Sequence, residues 1–343
     1  MPDHSYDALL IISFGGPERR EDVLPFLENV VRGRRIPRER LLEVAAHYYH
    51  LGGASPLNAH VRDLSAAVQQ ELRAVGVQLP VYWGNRNWHP FLPDTLRQMA
   101  DDGVRRALAW VTSAYSSYSS CRQYLENIAA ARAEVGPQAP QVDKIRAFYN
   151  HPAFIEAQAD RVGEALDQIP PQVRERTWLL YTAHSLPMAM AESSDYVQQL
   201  EETCRLISQR IGHRSYRLVY QSRSGPPHQP WLEPDVCDAV EQLHAARAVS
   251  HLVVVPVGFL SDHVEVLWDL DVEARQSAQG FGIQMVRAAT VGTHPRFVRM
   301  IRDLILERLE PGRPRLAVGR YGAHHDECPA DCCPSGVARS GSG

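Results

Sequence analysis

The chain has 343 residues, 44% apolar and 22% charged, with a formal net charge of −4. That length and composition give one large or two ordinary domains with buried cores, and a slightly acidic balance whose longest basic run is the RGRR at 32–35 argues against nucleic acid as a partner. Six cysteines are too few for a disulfide scaffold, no stretch reaches the roughly eighteen apolar residues of a membrane span, and the start MPDHSYDALLIISFGGP lacks a basic leader and a cleavage site, so a cytoplasmic protein in a reducing compartment is expected.

In chain order, short apolar β-rich runs alternate with helical patterns. The runs are YDALLIISF (6–14), PVYWGNR (80–86), RALAWVTSAY (106–115) and KIRAFY (144–149), then WLLYTAHS (178–185), YRLVYQS (216–222), HLVVVPVGF (251–259) and IQMVRAATV (283–291). Between them, VRDLSAAVQQELRAVG (61–76) and FIEAQADRVGEALDQI (154–169) place apolar residues three and four apart, the mark of amphipathic helices. Strands alternating with helices predict parallel sheets covered on both faces. The fold class is therefore α/β, with two similar domains, 1–150 and 151–312, each holding a four-stranded parallel sheet flanked by helices and parted at YNHPAF (149–154). A last helix over 294–309 is expected to pack across the domains. The tail, 313–343, is rich in Gly, Ser and Pro from 334 onward and reads as mobile.

Ligands of open parallel sheets bind at the carboxyl ends of the strands, and the polar, aromatic and Gly/Pro-rich residues gather there: SFGGP (13–17), GNRNWHP (84–90), TSAYSSYSSC (112–121), TAHSLP (182–187), QSRSGPPHQPWLEPD (221–235) and VGFLSDHVE (257–265). FGGP lacks the spacing of a phosphate-binding loop and can be a plain strand-to-helix turn. In FLSDHVEVLWDLDVE (259–273) an α-helix would keep Glu265, Asp269 and Glu273 on one face, with Asp262 beside them. Like charges four apart disfavour a helix by about 0.2–0.5 kcal/mol per pair, which nearby cations would offset; a solvated face is the bland alternative. His184, read alone, can be a satisfied rim histidine. It follows a strand equivalent to the one before Glu265, however, so the two are expected to face each other. One imidazole and several carboxylates suit a labile divalent ion such as Fe²⁺ better than a structural metal, and the row offers successive stopping points.

TAHSLP, PWLEPD (230–235) and PVGFLSDHVEVLWDLDVE (256–273), with SFGGP and GGASPL (52–57), closely resemble the signature blocks of ferrochelatases, in order over residues 7–309. The resemblance implies two Rossmann-like domains of the class II chelatase type that insert Fe²⁺ into a free-base porphyrin held between them. His184 would then be the invariant histidine, as proton acceptor or iron ligand, with Glu265 its partner across the porphyrin and Asp269 and Glu273 the outer relay. The porphyrin would be coproporphyrin III, with four propionates, as in enzymes related to Gram-positive ones, or protoporphyrin IX, with two. The rim offers Arg32, Arg34, Arg35, Tyr48, Ser55 and Tyr124 for these carboxylates, and the family match places Tyr48, Ser55 and Tyr124 near them. Phe14 stands where some coproporphyrin enzymes carry a Tyr. A cobalt or nickel chelatase and a non-catalytic tetrapyrrole carrier are the rival readings, and a monomer is expected.

CPADCCP (328–334) supplies Cys328, Cys332 and Cys333, one thiol short of a four-cysteine site, and Cys121 in YSSCRQY can complete it. The resemblance extends to bacterial members with a [2Fe–2S] cluster on three tail ligands and one internal one, which needs four thiolates. A zinc site or a free tail are the alternatives. Cys204 and Cys237 fall within helical patterns and read as buried apolar residues.

Overall fold

The computed structural model describes residues 6–34, 36–225, 228–247, 249–329 and 331–335. The first half contains β1 (Ala8–Ser13), α1 (Val23–Val30), α2 (Arg38–His50), α3 (Leu57–Ala74), β2 (Val81–Asn85), α4 (Leu92–Asp101), β3 (Arg106–Val111), α5 (Gln123–Val135) and β4 (Gln141–Lys144). In the second are α6 (Pro152–Leu166), β5 (Trp178–His184), α7 (Met188–Glu192), α8 (Tyr196–Ile211), β6 (Tyr216–Gln221), α9 (Val236–Ala245) and β7 (His251–Val255). They are followed by α10 (Val264–Val266), α11 (Arg275–Gly280), β8 (Gln284–Arg287) and α12 (Pro295–Leu309).

All six strand pairings are parallel, in the orders β2-β1-β3-β4 and β6-β5-β7-β8, so both halves repeat one topology. The central strands explain this. ALLIIS in β1 is buried at every position, which requires helices on both faces. Helix starts are fixed locally: Pro152 opens α6 beneath His151, whose Nδ1 accepts from the Ala153 amide at 3.2 Å, and Asp235 caps α9 through the Cys237 amide at 2.8 Å.

One core runs through both halves. The apolar face of α3 (Val61, Leu64, Val68, Leu72) meets α12, which also packs on α6, and Trp110 of β3 stacks on Phe148 with Phe297 of α12 against its edge. Arg302 of α12 reaches Glu71 of α3 at 2.7 Å. KIRAFY, expected as the fourth strand, is not one: the strand is Gln141–Lys144, and 145–149 leave the sheet while staying buried. The run is apolar because it threads this shared core, where Arg146 forms a fully buried, two-pronged pair with Glu307 at 2.8 and 2.9 Å.

The tail also departs from expectation over its described part. Arg146 donates to the Leu316 carbonyl (2.8 Å), Asn150 to those of Tyr321 and Gly322 (2.8 and 3.1 Å), and Glu202 accepts from the Arg320 amide (2.7 Å). Polar contacts hold a segment that has few apolar ones. Residues 336–343 of the expected mobile end lie outside the described residues. Among the described residues no helix is long and apolar enough to cross a membrane.

Candidate active site and a cysteine-rich tail

His184 is the last residue of β5, beside the point where the chain steps from β5 out to β6 on one side and to β7 on the other, which is where ligands of such sheets bind. Gly258 brings the segment after β7 against it. Its amide donates to the Thr182 carbonyl at 3.0 Å, and a Cβ there would come within 2.7 Å of Ala183, so only glycine permits the approach. PWLEPD buttresses the other side: Ser185 Oγ donates to the Leu232 carbonyl at 2.8 Å. The His184 Nδ1 lies 2.6 Å from the Ser185 carbonyl oxygen. A carbonyl only accepts, so the hydrogen of the neutral ring sits on Nδ1 and Nε2 keeps its lone pair. That Nε2 faces Glu265 Oε2 at 3.9 Å.

The acidic segment is not one α-helix. His263 caps a single α turn, its Nδ1 accepting from the Val266 amide, and the chain then winds as a π-helix over Leu267–Ala274 before α11. Such windings mark functional sites. The wider turn makes i,i+5 neighbours, and Trp268 Nε1 donates to Glu273 Oε1 at 2.9 Å. Its indole is stacked on His47 of α2, ring centres 4.0 Å apart. Asp269 accepts from Gln221 (3.1 Å) and from Ser222, a non-glycine residue held at φ 62° at the end of β6. Burial, and then the charges of Glu265 and Glu273, push Asp269 up to about 7 against those two hydrogen bonds. Asp262 does not share the stripe: Arg287 grips it with two hydrogen bonds of 3.1 Å and also takes Asp271 at 2.9 Å. Within this segment Glu265, Asp269 and Glu273 have no arginine partner among the described residues.

Opposite stands a wall made by α1 and α2. Tyr48 is 8% exposed, packed between Phe26 and Val264, and burial, then the nearby Glu265 charge, raises its hydroxyl pKa. It stands in the wall beside Glu265. Ser55, also 8% exposed, packs against Gly16, and Tyr124 is buried beneath Arg86, whose guanidinium lies 4.6 Å from its ring centre and 5.7 Å from that of Phe14. Phe14 itself is 38% exposed. Arg32 and Arg34 are exposed, Arg32 bonded to Asn29; Arg35 lies outside the described residues. Sequence reading overlooked Arg86, Trp268, His47, Gln221 and Ser222. Arg86 and Gln221 had a signal, each standing at a strand's carboxyl end.

The chain leaves β3 through a second π-wound turn, Tyr118–Arg122, carrying buried Cys121. The tail comes to it. Cys328 stands near enough to Cys121 to act on its thiol, and Cys332 Sγ lies 3.5 Å from Cys333 Sγ. The Cys328 thiol, and then the buried Lys144 ammonium, draw Cys121 down to about 6, while Cys328 rises. Ligand atoms of His325, Cys328 and Cys332 fall within 4.8 Å of one another. All six cysteines are free, and burial raises the thiol pKa of Cys204 and of Cys237.

Two four-stranded parallel sheets of one order, flanked by helices, are the arrangement of the chelatases. Among solved structures, SirB from Bacillus subtilis with Fe³⁺ superposes at TM-score 0.55 with 9% identity, covering 91% of this chain and 99% of that one. A multi-domain protein from Deinococcus radiodurans with structural similarity to chelatases gives 0.53 at 15%, covering 92% and 57%. The ferrochelatase family model matches residues 6–309, and the chain belongs to that family. It is 55% identical to a ferrochelatase of Rhodopirellula baltica (96% of this chain, 93% of the relative). Identity is 48% to a coproporphyrin III ferrochelatase of Streptomyces coelicolor (99% and 97%) and 50% to one of Nocardia farcinica (95% and 96%).

Proposed function

We propose that the protein inserts Fe²⁺ into coproporphyrin III, exchanging the two pyrrole N–H protons for the metal and giving coproheme for heme synthesis. The observation that carries the reading is the approach of His184 Nε2 to Glu265 Oε2, from two adjacent strands of one sheet, at 3.9 Å. His184 takes pyrrole protons at Nε2, and Glu265 steadies the imidazolium that forms. Iron reaches the macrocycle by way of Glu273, Asp269 and Glu265; an Asp269 poised near neutrality exchanges a proton for the arriving cation. Exposed Arg32 and Arg34, with Arg86 over Phe14 and Tyr124, supply the positive rim that four propionates call for. The names of the Streptomyces and Nocardia relatives favour the same substrate.

Cys121, Cys328, Cys332 and Cys333 fit a [2Fe–2S] cluster, with thiolate count and softness in its favour and the Lys144 ammonium beside Cys121 to balance its charge. Bound there, the cluster would supply one-electron redox chemistry. We read the enzyme as cytoplasmic, its cysteines kept as free thiols, and as a monomer, since a single chain carries every group named above.

The test is anaerobic assay of Fe²⁺ insertion, followed by the Soret band, with coproporphyrin III and protoporphyrin IX in parallel. Coproporphyrin III should give the higher kcat/KM, and His184→Ala should lower it by about 10²–10⁴-fold. A preference for protoporphyrin IX would overturn the substrate; turnover surviving the substitution would overturn the base.

A further inference from the structure

Two tyrosine hydroxyls stand behind the pair of His184 and Glu265, one from each half of the chain. Tyr115, just past β3, is 3% exposed, and its hydroxyl crosses to the second half to donate to the Val257 carbonyl at 3.0 Å. Tyr196, the buried first residue of α8, donates to the carbonyl of His184 itself at 3.1 Å. The two rings meet edge to face, their centres 6.2 Å apart. Their backbones are fastened together as well. The Ser116 amide donates to Gln199 Oε1 at 2.8 Å and Gln199 Nε2 to Ser116 Oγ at 3.1 Å, with Gln199 about one turn along α8 from Tyr196.

Each phenol gives its one proton to a main-chain oxygen, so neither serves the substrate as a donor. What the two bonds fix is where the chain segments of the site stand. His184 ends β5, and Val257 opens the segment that carries Glu265. That segment has little slack: the Gly258 amide is held by Thr182, the Leu260 carbonyl accepts from the Gly292 amide at 2.8 Å, and Arg287 grips Asp262. A shift at Val257 is therefore passed on toward Glu265 rather than absorbed.

We infer that Tyr115 and Tyr196 are positioning residues that hold the spacing between His184 and Glu265, and that the first half thereby steadies a pair built wholly on the second. The inference rests on the reading of His184 as proton acceptor and Glu265 as its partner. A hydroxyl that only stabilised the fold would show in the melting temperature. One that sets a reacting geometry shows in kcat, since a misplacement of about 1 Å lowers a rate by about 10²-fold.

The test uses the full-length protein with Tyr115→Phe, Tyr196→Phe and, as a reference, Tyr181→Phe. Tyr181 lies on β5 like His184, but its buried hydroxyl meets Ser208 Oγ, at 2.9 Å, and not a segment of the site. Anaerobic Fe²⁺ insertion is followed with whichever of the two porphyrins the parent turns over faster. Tyr115→Phe and Tyr196→Phe should each lower kcat at least about tenfold and leave the porphyrin KM within about twofold. Tyr181→Phe should keep the parent kcat at a comparable loss of melting temperature. In a Glu265→Gln background, where the positioned carboxylate is gone, adding either substitution should lower kcat by less than about threefold; Tyr196→Phe carries this comparison if Tyr115→Phe does not fold. An equal loss of kcat in Tyr181→Phe, or full additivity with Glu265→Gln, would overturn the inference. Parental kcat in both tyrosine variants beside an inactive His184→Ala would sink the positioning role alone, whereas turnover surviving His184→Ala would sink the base and the positioning role with it.

Discussion

After β3 and after β7, equivalent strands of the two sheets, the chain winds into π-helix, over Tyr118–Arg122 in the first half and Leu267–Ala274 in the second. The first π turn offers a soft sulfur, Cys121, to a tail that returns from the far end of the sequence. The second offers hard oxygens, Asp269 and Glu273, behind a carboxylate facing His184. A repeated backbone device thus sets where donors stand, and the side chain placed on it sets whether soft sulfur or hard oxygen is offered. The two turns also differ in what neutralises them: Lys144 lies beside the thiol, whereas Asp269 and Glu273 have no lysine or arginine partner among the described residues, and Asp269 rises instead.

Exchanging one function without the other tests that division. The largest effect should come from Glu265→Gln, which removes the charge opposite His184: iron insertion falls by about 10²–10³-fold, and the tail's iron absorption is untouched. Loss of both together would show that the regions are not separable. Cys121→Ser is the converse. The iron absorption disappears, while kcat for insertion changes by less than about tenfold, or about 1.4 kcal/mol of barrier; a larger fall would tie the tail to the chemistry.

The smallest effect is one of stability. Asp269 is raised, so the folded chain keeps a proton that the unfolded chain sheds at the ordinary carboxylate range. This contribution is present in acid and is lost as pH climbs through about 7. Asp269→Asn stays neutral throughout. In metal-free protein its melting temperature relative to the parent should therefore rise between about pH 5 and pH 8, and a flat difference would mean that Asp269 is ionised across the range.

Seven of the eight strands were legible because a strand buried on both faces announces itself as a continuous apolar run, as in ALLIIS and HLVVV. KIRAFY misled for the same reason, since burial in the core shared by the two halves leaves the same mark. Spacing of four predicts one α-helical face for Glu265, Asp269 and Glu273, whereas the chain winds as a single α turn and then as π-helix, a choice that packing makes and spacing does not show. The burial of Tyr48 was not legible, because the apolar neighbours that enclose it, Phe26 and Val264, come from elsewhere in the chain. The tail read as loose because apolar content is what sequence shows, and its anchors are hydrogen bonds to Arg146, Asn150 and Glu202, more than a hundred residues away.

The stack of Trp268 on His47 joins the two halves at the outer end of the carboxylate row, and the indole that makes it also holds Glu273. Any shift of α2 against the π-wound segment would slide or break this stack and, through the same indole, disturb the hydrogen bond that holds Glu273.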